Sequence, residues 1–186
     1  MKTLTASVIA AFLAIISIHT QAQTTASLND KESKTEKREA RKELNKQRES
    51  EVSFMAKNNF LVDFDKASDV KWVKGPEFDE ATFTKDGQKL TAYYDYKSIL
   101  VGTTSNKKFS DLPASAQKEI QKEYKGYVTG AVILYDDNGS NETNMYLYGH
   151  GFDDADHYFV TVSKGTKEIV LMVSTDGQVS YFRHVS

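Results

Sequence analysis

Cysteine is absent from all 186 residues. That excludes disulfides, thiol nucleophiles and thiolate metal sites together. Histidine is scarce: of four, only His150, His157 and His184 lie beyond the first 22 residues. No Gly-x-Ser-x-Gly, His-Glu-x-x-His or phosphate-cradling glycine loop occurs. Adjacent acids such as Asp79-Glu80 follow no pattern that general acid–base work requires, and read as solvated faces. The chain therefore does not read as an enzyme, and it implies no cofactor. A basic excess is missing as well. From Glu51 onward fifteen Lys or Arg stand against twenty Asp or Glu, which argues against a nucleic-acid footprint. Proline occurs twice, with Gly75-Pro76 marking the stop of a strand and Pro113 the start of a helix.

Long apolar runs are confined to the N-terminus. Lys2 supplies a positive charge, Leu4 to Ile18 form a short apolar run, and Thr20-Gln21-Ala22 offers small residues where a signal peptidase cuts. The run is too short and too soon followed by polar residues for a membrane span. Residues 1–22 are expected to be a cleaved signal peptide, which places the mature chain in the periplasm or outside the cell. Such a chain can do without disulfides, because its length lets it bury a core of its own. Residues 23–50 follow as a charged linker, with eight basic and six acidic residues between Asp30 and Ser50. Its few apolar residues cannot bury enough surface to fold alone. Glu39 with Lys42 and Glu43 with Lys46 favour a helix, while the row Arg38, Lys42, Lys46 opposes it.

From Glu51 the pattern changes. Val52, Ala56, Phe60 and Phe64 recur every four residues, with Met55 and Leu61 alongside, as a helix with one buried face requires. Asn58-Asn59 weakens its centre, so Phe64 is expected just past its end. Val70 to Val73 read as a first strand. Asp86-Gly87 between alternating runs is a strong hairpin signal, since both central residues of that turn take positive φ. It sets Phe83 opposite Leu90, Ala81 opposite Ala92 and Thr82 opposite Thr91, one apolar face and one polar. Ile99 to Val101 give the return strand. Asp111 or Ser110 is expected to cap a second helix with Pro113 in its first turn, followed by Leu112, Ala116, Ile120 and Tyr124 at spacing four and a terminal Gly126. Strands are expected over 127–135, 145–148, 157–163, 168–173 and 179–184, with a polar loop at 136–141 and an acidic one at 149–156.

The second half restates the first. Shifting by 79 residues matches Leu90 with Ile169, Ala81 with Val160, Phe83 with Val162, Ala92 with Leu171 and Leu100 with Val179. The expected fold is thus α+β. It comprises two tandem repeats (51–108 and 109–186), each a helix plus a four-stranded antiparallel meander.

Val70-Lys71-Trp72 after a helix, the Asp86-Gly87 hairpin, Tyr93-Tyr94-Asp95 and Ser110-Asp111-Leu112-Pro113 resemble the PepSY-like, beta-lactamase-inhibitor-like (BLIP-like) domains of exported bacterial proteins. The resemblance covers roughly residues 54 to 184. It implies two helix-plus-meander repeats whose sheets form a curved platform, and related domains are associated with protein inhibition or with propeptides of secreted metallopeptidases. The chain departs from the family at Tyr96-Lys97-Ser98, where an Asp-x-x-Gly turn is usual, and in its acidic insertion at 149–156. No inhibitor contact residue carries over.

Two sets of residues stand out. Strand aromatics Tyr93, Tyr94, Tyr96, Tyr146, Tyr148 and Trp72 are candidates for a sheet-face binding platform, because tyrosine offers area at small entropic cost. His150, Asp153, Asp154, Asp156 and His157 join imidazole and carboxylate in one glycine-flanked loop, as a divalent metal requires, although their spacing matches no known ligand pattern. Asp136 to Glu142 resembles a calcium loop but lacks its sixth-position glycine and twelfth-position acid, so it reads as a wide turn. Asn141-Glu142-Thr143 is a sequon. The expected role is a non-catalytic exported domain that binds a protein or peptide, restraining an exported hydrolase. The alternative is a small-ligand or divalent-metal sensor built on the 149–157 loop.

Overall fold

The computed structural model describes residues 37–39, 42 and 51–185. The expected signal peptide lies outside the described residues, as does most of the linker; residues 37–39 and 42 are helical and exposed. The chain divides into two units at Glu43 and Leu44, and the second carries the fold. It opens with α1 (Phe54–Asp63), followed by β1 (Ser68–Lys74), β2 (Asp79–Lys85), β3 (Gln88–Tyr94) and β4 (Leu100–Lys107). A one-turn 3₁₀ helix (Phe109–Asp111) leads into α2 (Ala114–Glu123) and β5 (Val128–Asp137). A small hairpin, β6 (Tyr146–Leu147) and β7 (His150–Gly151), precedes β8 (His157–Lys164), β9 (Lys167–Ser174) and β10 (Val179–His184). Eight strands form one antiparallel sheet in the order β1-β2-β3-β4-β5-β8-β9-β10, and β6 pairs only with β7. The fold is α+β, with a large antiparallel sheet and few helices.

Register shows how the sheet is covered. Directly opposed residues of an antiparallel pair share a face. The Asp86-Gly87 hairpin pairs Phe83 with Leu90 and Ala81 with Ala92, with φ of 50° and 75° at the turn. Ala92 pairs with Thr103 and Leu90 with Ser105; Ser105 then pairs with Leu134 and Lys107 with Val132, which meets Val160. Both helices therefore pack on the same face. α1 sets Ala56 and Phe60 against Ala81, Phe83, Ala92 and Tyr94, while α2 sets Leu112, Ala116 and Ile120 against Val132, Val160, Val162, Ile169 and Leu171. On the opposite face Tyr135, Phe159 and Val170 are covered by Met145 and Phe152 of the 138–156 insertion. That cover spans β5, β8 and β9, and leaves Thr82, Thr91 and Thr104 of β2 to β4 at the edge of a shallow groove.

Turn geometry recurs at the same spacing of 79. Ser98 donates its N–H to the Asp95 carbonyl at 2.8 Å and Gly177 donates to Ser174 at 2.9 Å. Asp95 Oδ1 accepts from Ile99 N as Ser174 Oγ accepts from Gln178 N. Ser98 holds a φ of 66° where Gly177 holds 92°. The Tyr96-Lys97-Ser98 departure thus changes the residue and keeps the backbone. The β3–β4 turn is tied to the start of α1 through Ser98 Oγ and Ser53 Oγ, 2.8 Å apart, while Gly177 lies against Pro113 and Ser115 at the start of α2.

Several expectations are corrected. Met55 and Leu61 do not flank the buried face of α1 but stand 58% and 71% exposed. Asp111 does not cap α2: its carboxylate accepts the Lys108 N–H at 2.8 Å and closes the 3₁₀ turn, while Pro113 takes the N-cap position. The cap of α1 is Ser53, whose Oγ accepts from Met55 N and Ala56 N. Residues 145–148 do not join the sheet, because their two strand residues fold back onto β7. Asp136 and Asp137, read as loop, end β5.

Candidate functional site

The insertion and the β1–β2 turn enclose a cleft of about 320 Å³ lined by Pro76, Glu77, Phe78, Glu80, Tyr146 and Gly149. One wall belongs to the main sheet. Phe78 and Glu80 lie on the face away from the helices, because their neighbours Asp79 and Ala81 are buried toward α1. Phe78 packs edge-on against Tyr93, with centroids 6.1 Å apart. Burial raises the Glu80 carboxyl above its ordinary value. Burial also pushes the Tyr93 hydroxyl up, against the hydrogen bond it shares with Thr104 Oγ1, and the charge of Glu80 adds to the rise. An acid, two aromatic rings and a partly dry surface thus share one wall.

The other wall is the β6–β7 hairpin. Tyr148 and Gly149 form its two-residue loop, with φ of 53° and 70°. A tyrosine in left-handed backbone is strained by roughly 1 kcal/mol or more, a cost that its partial burial against the Phe78–Tyr93 cluster offsets. Sequence reading extended a strand through Tyr148, although the dipeptide before His150 carries the glycine that such a turn favours.

The insertion is fastened below the cleft. Phe152 N donates to the Met145 carbonyl at 3.1 Å, and the Phe152 ring meets Tyr135 and Phe159 edge-on at 5.1 and 4.8 Å. The Tyr135 hydroxyl lies 2.9 Å from Asp137 Oδ1 and 3.1 Å from the Val101 carbonyl. Burial, then this bond and the surrounding carboxylates, hold its pKa far above the usual range for tyrosine. Asp137 N donates to Asp156 Oδ1 at 2.8 Å. Asp154 is pushed up to about 6, first by desolvation and then by its hydrogen bond to Asp137 and the charges of Asp137 and Glu142. Asp154 and Asp156 thus join the acidic loop to Asp137 at the end of β5.

The six aromatic candidates separate. Tyr146 lines the cleft, and Tyr93 and Tyr148 pack beside it in the cluster that contains Phe78. Tyr94 is wholly buried under α1, where its hydroxyl donates to Asp63 Oδ2 at 2.8 Å. Trp72 faces the same helix and meets Phe60 edge-on. Neither lies on an open face, because the β1–β2 register sets Trp72 opposite Ala81 and the β2–β3 register sets Tyr94 opposite Asp79, both on the side of α1. Tyr96 stands 83% exposed in the β3–β4 turn, away from any strand face. The five metal candidates also separate. His157 is buried, with Nδ1 2.7 Å from the Ala155 carbonyl and its ring beside Phe152 and Phe159, whereas His150 packs against Phe182. Asp154 and Asp156 turn to Asp137, and among the described residues no three His, Cys, Asp or Glu are grouped to hold a metal ion. The sequon asparagine is buried, its amide donating to the Leu100 carbonyl at 3.1 Å. A wider groove of about 460 Å³ beside the β3–β4 turn is lined by Asp95 and Asn141, whose polar groups already serve Lys97 N, Ile99 N and Leu100.

Phe78 and Glu77 were not among the candidates, and Glu80, expected with Asp79 on a solvated face, is half-buried while Asp79 is 2% exposed. The available signal was the break at Gly75-Pro76, which places the next residues at a strand entrance.

Comparison with solved structures gives this arrangement a place. A BLIP-like protein from Bacteroides fragilis matches with a TM-score of 0.56 at 17% identity, covering 73% of this chain and 87% of that one. The fold is BLIP-like. A DUF2874 family protein from Bacteroides uniformis matches at 0.59 and 13% identity, covering 73% and 91%. A candidate periplasmic protein from Bacteroides eggerthii matches at 0.58 and 11% identity, covering 72% and 89%. No family model matches the chain, and no curated protein matches it in sequence. At these identities the likeness concerns the fold. No helix among the described residues is long and apolar enough to cross a membrane.

Proposed function

We propose that the chain is a non-catalytic, exported binding domain. Its cleft at Phe78, Glu80 and Tyr146 receives a side chain from an extended segment of a protein or peptide. The observation that carries this reading is a half-buried carboxyl, Glu80, that shares a cleft with Phe78 and Tyr146 on the sheet face away from both helices. Such a pocket suits a lysine or arginine, whose apolar stem lies along the rings while its cationic tip meets Glu80. The BLIP-like fold and a neighbour linked to the periplasm support an exported location, as does the leader expected over residues 1–22. An exported hydrolase held in check is the partner class that the BLIP-like likeness suggests. The repeated turns and matching core positions at a spacing of 79 support a tandem origin, with the insertion added to the second copy alone.

The test is capture from envelope extract on the immobilised domain, eluted and identified by mass spectrometry. A specific partner should be retained by the parent and lost with Tyr146→Ala or Glu80→Gln. Retention unchanged in both variants, or no specific partner at all, would defeat the proposal.

A further inference from the structure

Helix α1 is apolar on two opposite faces. Ala56 and Phe60 are buried against the sheet. On the far side Phe54, Met55, Leu61 and Val62 stand 74%, 58%, 71% and 82% exposed, with exposed Asn58 between them. At 100° per residue these five positions fall within a third of the helix circumference, directly opposite the buried stripe. A helix apolar on two opposite faces expects cover on both. The four side chains expose on the order of 500 Å², the upper end for the largest apolar patch on a monomer.

The pattern is also a palindrome. Counting outward from Asn58, Met55 mirrors Leu61 and Phe54 mirrors Val62. A two-fold axis through Asn58 would therefore lay the stripe antiparallel on a copy of itself, apolar upon apolar at both ends. At the axis the two Asn58 amides meet, each offering a donor and an acceptor to the other. Helical residues 54–63 hold one lysine and one aspartate, so the helix itself does not carry the Lys- and Arg-rich polar face of one that lies on an anionic membrane. Two stripes together amount to on the order of 1,000 Å², the low end for a specific protein–protein interface.

We infer that the outer face of α1 is the contact through which two copies of this chain associate, as an antiparallel helix pair centred on Asn58. The contact is expected to be weak, because its area lies at the low end for a specific interface.

The test uses the chain from residue 23, followed by sedimentation equilibrium from micromolar to millimolar concentration. Leu61→Glu should weaken the dimer by more than tenfold while leaving the far-ultraviolet spectrum and melting temperature of the monomer in place, since Leu61 supports no core. Because the chain has no cysteine, any introduced thiol is unique. Asn58→Cys should oxidise to a covalent dimer. Phe54→Cys should cross-link to Val62→Cys in a mixture and not to itself, and Lys118→Cys on α2 should not cross-link. A monomer throughout with no Asn58→Cys cross-link would overturn the inference, whether the stripe then proves to bind another protein or nothing. Self-linkage of Phe54→Cys, or a dimer indifferent to Leu61→Glu, would overturn it equally.

Discussion

Gly102 is where a single methyl group should do most damage. It sits in β4 beside the one-residue bulge that lets Tyr93 pair with Gly102 while Tyr94 pairs with Leu100. A Cβ there would lie 2.6 Å from Cε2 and Oη of Tyr135 and 2.7 Å from the Asp136 carbonyl oxygen. None of the three can withdraw cheaply. The Tyr135 ring is wholly buried and its hydroxyl is tied to Val101 and Asp137, while the Asp136 oxygen belongs to the neighbouring strand. Overpacking against such neighbours puts Gly102→Ala at about 3 kcal/mol. That corresponds to a melting temperature about 10 °C lower for a domain of this size. Urea denaturation followed by the fluorescence of Trp72, the chain's single tryptophan, reads the change globally. A second substitution isolates the cause. Tyr135→Ala alone should cost about 4 kcal/mol by leaving a cavity, and adding Gly102→Ala to it should cost little more, because the obstructing ring is gone. A Gly102→Ala variant within about 0.5 kcal/mol of the parent, or one whose cost simply adds to that of Tyr135→Ala, would refute the close-approach account.

Gly87 offers the contrasting case: its φ is 75° but a Cβ would meet nothing within 4 Å, so Gly87→Ala should cost only the left-handed backbone, about 1 kcal/mol in the same urea assay. Asp79 is 2% exposed, accepts the Ser53 N–H at 2.9 Å and pairs with Lys74 Nζ at 2.8 Å. Asp79→Ala should cost about 2 kcal/mol, mostly from the Ser53 donor it orphans, and should lower helical ellipticity first on heating. For Asp154, the folded-state carboxyl near 6 exceeds the ordinary value of 3.8, so its bond to Asp137 stabilises the insertion at pH below 3.8 and is lost as pH rises through about 6. Carboxyl carbon NMR should show Asp154 titrating near 6, and Asp137→Asn should lower that value only in part, because burial is the larger cause.

The hairpin register and the two helix faces were legible because alternation and spacing are local. Phe83 opposite Leu90 follows from a two-residue turn and nothing else. Side-chain direction on β3 was equally legible, yet its consequence was not. The alternation that sends Tyr94 to the apolar side also sends it under α1, so its aromatic area serves the core and not a partner. The acidic loop illustrates the opposite limit. Its carboxylates and imidazoles lie close in sequence, but Phe152 among them is an anchor for the core, and its insertion beneath Tyr135 turns His157 inward and Asp154 toward β5. Nothing in the spacing of 149–157 carries that information, because the deciding partners, Tyr135 and Phe159, lie in other strands. The cleft was hidden for the same reason: Phe78 and Tyr146 are 68 residues apart, and only the fold-back of the insertion brings their surroundings together.

The two walls of that cleft differ in stiffness, and the difference predicts how binding is registered. Phe78 and Glu80 border or belong to β2, which is paired on both sides along its length. The β6–β7 hairpin has two residue pairs, belongs to no larger sheet and is held to the core through Met145 and Phe152. Amides of such a short hairpin open at small free energy, whereas those of a central strand exchange only through far larger excursions. A partner seated between the walls should therefore slow exchange chiefly in residues 146–152, including the Phe152 amide bonded to Met145. β2 and β3, already protected, should change little. Hydrogen exchange of the domain with and without its captured partner reads this directly. Slowed exchange confined to α1 or β1, with 146–152 unchanged, would place the partner elsewhere and remove the cleft as its site.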